Sequence, residues 1–440
     1  MDQNINHLLL RAGFGTNPKE VNDKGWDSVE AVLEDLFKTK RVNIQADGAA
    51  SADVTKVDKS RIKSQTVKLN LAWINEMATT DAVLQEKMTL FWHDHFGVKA
   101  RLPQLGAQHV NTLRKHALGK FGDLLHAVAK DPAMLLFLNT QQNKKTAPNE
   151  NFARELFELF TLGEGNYTEK DIKEAARAFT GWKMDRTGKF RFVRFQHDYG
   201  SKQIFDRRGN FEGEEVIDMV LKRPETARFI CDKIIDFMVG EAVNEEIRVE
   251  LAQKYSNWDL HTGKLLKEIF TSDWFYHPSV IGARIKTPIE LIVGIMRSFQ
   301  VKDNAGLGVL LAQRSMGQVL YSPPSVAGWP TGRNWIDSSS LLYRQNLGFA
   351  VLLRKELKGI NKKNFDAMLK DLDLKSNSVD FSASTAFWDH LSLEHCSTYL
   401  LSKKPEAAMI QNIDRISASE DDSQKLRLAM LMGIPEFQLC

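Results

Sequence analysis

The stretch Asn151-Phe-Ala-Arg-Glu-Leu-Phe-Glu-Leu-Phe-Thr-Leu162 decides the fold class. Read as a helix at about 100° per residue, it gathers Asn151, Arg154, Glu155 and Glu158 into one arc of roughly 100°. Phe152, Ala153, Leu156, Phe157, Leu159 and Phe160 cover the remaining surface. A helix this apolar packs into a core on most sides. Carboxylates buried there are costly unless paired, hydrogen-bonded or metal-bound. The polar stripe is therefore either an ion-pair network or part of a site.

The same periodicity recurs outward from this stretch. Val29, Val32, Leu33, Leu36 and Phe37 are spaced three and four apart. Helices are expected at Val67–Met77, Asp81–Trp92 and Asn111–Ala129, then from Pro132 to Phe137. Thr168-Glu-Lys-Asp171 has the form of a capping box and launches Ile172–Trp182. Further helices are expected at Val216–Val220, Pro224–Val239, Asn244–Lys254, Leu260–Phe270, Pro288–Phe299 and Ser338–Lys358, with the last between Ala386 and Met432. Residues 41–60 are polar and read as an exposed loop, and Tyr321–Asn334 is rich in Pro and Gly and also loop-like. Lys189-Phe-Arg-Phe-Val-Arg-Phe195 alternates in the manner of a strand, so 183–213 reads as a hairpin-like insertion, its β part near 189–211. The expected fold is mostly α: a compact multi-helix domain over 1–440 with one small β-hairpin insertion.

Composition narrows the function classes. The chain has 440 residues, 43% hydrophobic and 26% charged, with a net charge of +3. That balance gives no strong field for nucleic acid. Cys231, Cys396 and Cys440 have no metal or redox spacing, which fits a reducing compartment. No signal-peptide core and no apolar run long enough to span a bilayer is present, so a cytoplasmic location without a membrane span is expected. Phosphate-binding loops of the Gly-x-x-x-x-Gly-Lys-Ser/Thr type, Gly-x-Gly-x-x-Gly, His-Glu-x-x-His and Gly-x-Ser-x-Gly are all absent.

Several polar patterns carry chemistry. Glu155 and Glu158 are paired carboxylates, suited to holding a metal or to dividing acid and base roles. The alternative is structural, because Arg154 is an i,i+4 neighbour of both Glu150 and Glu158. His93 and His95 flank Asp94. On a helix they diverge by about 200°, whereas in an extended segment they share a side. Gly97 marks a helix end there, so both geometries stand, beside a plain reading of His95 as a dipole-favoured C-terminal histidine. A third ligand from His197, Asp198, Glu155 or Glu158 would complete a His/carboxylate site for Zn, Mn or Fe. His197-Asp198, with Lys202 downstream, sits in the strand-like excursion, where His197 is suited to proton transfer near neutral pH. Arg11, Arg177, Lys202, Lys286 and Arg333 would suit an anionic substrate if they converged; otherwise they are surface charge or buried ion pairs. Trp92, Trp182, Trp329 and Trp335 are core or pocket walls, with Trp329 in Gly328-Trp-Pro330 the best placed to stack on a sugar.

These motifs together resemble the bacterial domain-of-unknown-function 1800 family. The matching segments are His7-Leu-Leu-Leu-Arg11-Ala-Gly13-Phe-Gly15, Phe91-Trp92-His93-Asp94-His95-Phe96 and Pro148-Asn149-Glu150 running into Asn151–Gly163. Ala178-Phe-Thr180-Gly181-Trp182, His197-Asp198 with Lys202, Ser322–Pro330 and Pro435-Glu436-Phe437-Gln438 complete the resemblance, which covers almost the whole chain. The family label names no chemistry. It implies that many similar proteins are exported, and that a partner is encoded nearby, from a second family of secreted phosphatase-like proteins. Export is thus the alternative to the cytoplasm. The expectation drawn from all of this is an enzyme, metal-dependent or not. Its catalytic residues would be Arg154, Glu155, Glu158, His197 and Asp198, its metal ligands His93 and His95, and its substrate contacts Asn151, Arg177, Lys202, Trp182 and Trp329. The substrate would be a carbohydrate or another anionic, envelope-derived molecule. The alternative is a non-catalytic helical scaffold whose polar stripe is architecture.

Overall fold

A computed structural model describes residues 1–40, 42–45, 61–303, 307–353, 381–418 and 422–440. The expected loop at 41–60 falls largely outside these residues, as do 354–358 of the expected Ser338–Lys358 helix.

Helices dominate, as periodicity predicts. Those that position the polar clusters are α1 (Gln3–Ala12), α2 (Ile62–Thr79), α3 (Val83–His95), α4 (Pro103–His116), α5 (Asn151–Glu155), α6 (Glu169–Ala178), α7 (Pro224–Met238) and α8 (Pro288–Ser298). The β content of the described residues is three two-stranded antiparallel sheets. Two lie in the excursion: β1 (Trp182–Met184) with β2 (Phe190–Phe192), and β3 (Lys202–Ile204) with β4 (Arg207–Gly209). The third joins β5 (Lys302–Asp303) to β6 (Phe381–Ser382). The alternating run Lys189–Phe195 is a strand only at its centre and turns into a 3-10 helix at Arg194–Gln196.

The helix expected at Asn111–Ala129 is two helices, α4 and a second at Phe121–Ala129. The break is held by tertiary hydrogen bonds, from Phe121 N to Leu260 O at 2.9 Å and from Thr262 N to Gly119 O at 2.9 Å. Another departure falls in the opening stretch. Only Asn151–Glu155 is α-helical; Leu156–Thr161 is π-helical, with Leu162 N donating to Phe157 O at 2.8 Å. The wider turn ends at Gly163, whose φ of +76° suits glycine and lets it pack against Phe229.

Buried side chains form two large clusters. Helix α3 belongs to both: Phe91 and Trp92 pack in the first, Leu90 in the second. Buried charges tie the clusters together. Glu290 at the start of α8 pairs with Lys87 of α3 and with Arg284. Arg11 donates to Val239 O and Val280 O, each at 2.8 Å, so it secures main chain and is spent structurally. Leaving one member of such a set unpaired costs roughly 3–5 kcal/mol.

Candidate functional site

All of α3 is buried except Asp94, which is half-buried at the last turn. The loop carrying Ser322–Pro330 closes directly on this helix end. A Cβ on Gly97 would lie 2.9 Å from Ser325 O and Val326 O. Gly328 has φ +81°, and a Cβ there would clash with an Asp94 carboxylate oxygen. Glycine at both positions is thus a packing requirement. The contact is completed by Trp329, whose backbone N–H donates to Asp94 Oδ1 at 2.7 Å.

The two histidines flanking Asp94 point apart, as a continuous helix demands. His93 Nε2 accepts the Tyr321 N–H at 3.0 Å, which assigns the proton to Nδ1. Its ring packs among Trp73, Tyr321 and Trp329, with centroids at 5.1, 5.6 and 5.4 Å. Burial, then the neighbouring His109, push its pKa down to about 3, so it is neutral. His95 Nε2 donates to Phe160 O in the π-turn at 3.2 Å, while Nδ1 faces Lys233 Nζ at 3.5 Å. Burial holds His95 neutral as well, with Lys233 adding to the effect. Among the described residues no group of three or more His, Cys, Asp or Glu is placed to share a metal ion. His93 and His95, expected as metal ligands, are turned to different neighbours: His93 Nε2 to Tyr321 N and His95 Nδ1 to Lys233.

Lys233 on α7 is the residue that sequence reasoning missed. Its ammonium lies 4.7 Å over the Phe229 ring and beside Asp94 and His95. Burial lowers its pKa, opposed by Asp94. Burial also pushes Asp94 up to about 6, against the Trp329 N–H and Lys233. An acid and a base, each displaced toward neutrality, thus lie within electrostatic reach of each other, without a close ion pair, where α3, α7, the π-turn and the Pro/Gly-rich loop converge.

The remaining expected residues fall into two further groups. In the first, Arg154 holds Glu169 through both terminal nitrogens, at 2.7 and 2.8 Å, and reaches Glu150 at 3.3 Å. Glu158 accepts the Tyr167 hydroxyl at 2.9 Å. Glu155 is half-buried with its pKa raised by burial and then by Glu158. Asn151 is exposed at the helix start, its N–H on Asn149 Oδ1 at 3.1 Å.

The second group is the base of the excursion. Arg177 grips Asp198 at 2.7 and 3.2 Å and also bonds Glu174 at 2.9 Å. That grip holds Asp198 below the usual carboxylate range. Thr180 links the elements: its carbonyl accepts from His197 Nδ1 at 2.9 Å and its hydroxyl accepts from Asp198 N at 2.8 Å. Lys202 is buried and donates to Asp198 O at 2.6 Å, Gly200 O at 3.2 Å and Asn210 Oδ1 at 3.3 Å. Trp182 is core, packed on Phe179 at 5.1 Å, and Trp329 is buried at 5% exposure, a wall of the α3 cluster with no open face.

The whole is a helical protein whose polar motifs gather around a helix end, a π-turn and a small β excursion. The chain matches the family model described as "Protein of unknown function (DUF1800)" over residues 7–439, and it belongs to that family. No curated protein and no solved structure matches it. No helix among the described residues is long and apolar enough to cross a membrane.

Proposed function

We propose that this protein is an enzyme whose proton-transfer pair is Asp94 and Lys233. The observation that carries the reading is the placement of a carboxyl with a pKa of about 6 beside a lysine lowered by burial, both half-buried at a junction of four elements. Displaced acid–base pairs of this kind concentrate at functional sites. One oxygen of Asp94 is fixed by the Trp329 N–H, which leaves the other to exchange a proton near neutral pH. His93 positions the Tyr321–Trp329 loop, and His95 positions Lys233 against the π-turn. Lys233 is the cation that would meet an anionic substrate, and an anionic or carbohydrate envelope-derived molecule is the substrate class we propose. Glu155, with its raised pKa, is a second proton carrier in this proposal.

A second reading, the non-catalytic scaffold, draws support from Arg154 and Arg177, whose guanidinium groups are already occupied by carboxylates. Competitive amine acylation across pH, read by mass spectrometry, separates the two. The enzyme reading predicts that Lys233 reacts with a midpoint below the exposed lysines, and that Asp94→Asn lowers the midpoint further. A chromogenic panel of glycosides and phosphate and carboxylic esters then reports turnover, lost in Asp94→Asn and Lys233→Met. An ordinary lysine midpoint, or turnover unchanged in both variants, contradicts the reading.

A further inference from the structure

The excursion from Lys183 to Gly213 carries eight Lys and Arg against four Asp and Glu, a balance of +4 in a chain whose total is +3. Several of its cations lack ion-pair partners. Lys183, Arg186, Arg191 and Arg194 form no ion pair with a described residue, and neither do Lys144 and Lys145 in the adjoining loop. Some cations elsewhere are matched, Arg154 by Glu169, Arg228 by Asp232 and Glu245, Lys254 by Glu250 and Glu268; what sets the excursion apart is the concentration of its cations within one short segment.

These unmatched charges are brought together by backbone geometry. Lys145 N donates to Gln196 O at 2.8 Å and Val193 N to Gly181 O at 2.8 Å. Lys183 stands directly opposite Arg191 in the β1–β2 register. Like charges facing across a ladder are destabilising. The register persists because Trp182 pairs with Phe192 and Met184 with Phe190 on either side. An anion over the Lys183–Arg191 pair would relieve the repulsion.

Within this basic field stands Phe195, 74% exposed, the most open large hydrophobic side chain among the described residues. The short 3-10 turn Arg194–Gln196 carries it, and the next residue, His197, is buried and bonded to Thr180. Arg177, Asp198 and Lys202 lock the same base. The polar cluster of Arg177, His197, Asp198 and Lys202 also fixes an exposed aromatic tip among cations without ion pairs. A rigid apolar tip on a segment dense in cations matches the boundary between anionic headgroups and acyl chains. Single-stranded nucleic acid instead asks for successive free ring faces. Here Tyr199, 51% exposed, packs T-shaped against His197 at 4.7 Å, so Phe195 is the one ring standing clear of such a contact.

We propose that this excursion is a docking surface for anionic phospholipid bilayers, with Phe195 entering the headgroup region and Lys145, Lys183, Arg191 and Arg194 facing lipid phosphates. The inference is independent of the Asp94–Lys233 pair.

The test uses the full chain with phosphatidylcholine vesicles, with and without phosphatidylglycerol, in co-sedimentation. Binding at least about tenfold tighter to the anionic vesicles, and weakened by salt, is expected. Phe195→Ala and Arg191→Glu/Arg194→Glu should each reduce it by roughly tenfold or more. Arg191→Glu should also raise the melting temperature, because it replaces repulsion across from Lys183 with attraction, so lost binding cannot be lost folding. Equal binding to both vesicle types, binding insensitive to these substitutions, or capture of a single-stranded oligonucleotide with no vesicle binding would each overturn the proposal.

Discussion

The α3 end and the base of the excursion are both polar, both partly buried and both built from family-like motifs, yet they solve their electrostatics in opposite ways. At the excursion base every charge meets a complement: Arg177 meets Asp198 and Glu174, and the Lys202 ammonium meets three oxygens. At the α3 end Asp94 has one N–H and a neighbouring lysine but no close ion pair, and both groups are displaced toward neutrality. The first arrangement stabilises a shape. The second retains a carboxyl whose charge can change near pH 6 beside a lysine lowered by burial, which is what proton transfer asks of such a pair.

The comparison can be broken hardest at Gly328. Alanine there meets an unfavourable φ of +81° and a clash with the Asp94 carboxylate. We expect a loss of about 3 kcal/mol or more in denaturant unfolding, together with loss of the depressed Lys233 midpoint. A change below about 1 kcal/mol would mean that the loop does not close on Asp94.

The next effect has a definite sign. A carboxyl raised to about 6 in the folded state binds protons that the unfolded chain has released, so its contribution is present below the unfolded pKa and is lost as pH rises through about 6. The loss is on the order of 2–3 kcal/mol. Asp94→Asn keeps an acceptor for Trp329 N–H but removes the buried charge. It should therefore stabilise the protein by about 2–3 kcal/mol at pH 8, by roughly half that at pH 5 and little below about pH 4, while costing whatever activity Asp94 supports. His93 behaves oppositely: with its pKa lowered to about 3, its contribution is present above the unfolded value of 6.5 and falls away as pH drops toward 3.

Asp198→Ala sharpens the contrast from the other side. It strips Arg177 of its bidentate partner at a partly exposed site, and we expect about 1–2 kcal/mol of destabilisation. The Lys233 midpoint should not move. The smallest effect belongs to Arg154→Ala, whose partners are largely exposed: less than about 1 kcal/mol by thermal unfolding, and less still in high salt.

Much of the helical architecture was legible because amphipathic spacing is a local signal, as in Val29–Phe37 and the Thr168–Asp171 capping box, which forms as read. The π-turn was not, because nothing in Leu156–Thr161 departs from α-helical periodicity; the wider turn is set where Gly163 meets Phe229 and His95 reaches Phe160 O. The break before Phe121 was hidden for the same reason, being fixed by Leu260 and Thr262, far along the chain. Asp94 was visible only as the residue between two histidines. Lys233, one lysine on an amphipathic helix, has no local mark that separates it from a surface cation; only the approach of α3 gives it a role.

The most direct measurement is the titration of Asp94 by carbon-detected NMR of its side-chain carboxyl, in the wild type and in Lys233→Met. The account predicts a midpoint near 6 in the wild type, moving higher when the neighbouring cation is removed. A midpoint in the ordinary carboxylate range, unmoved by Lys233→Met, would contradict it.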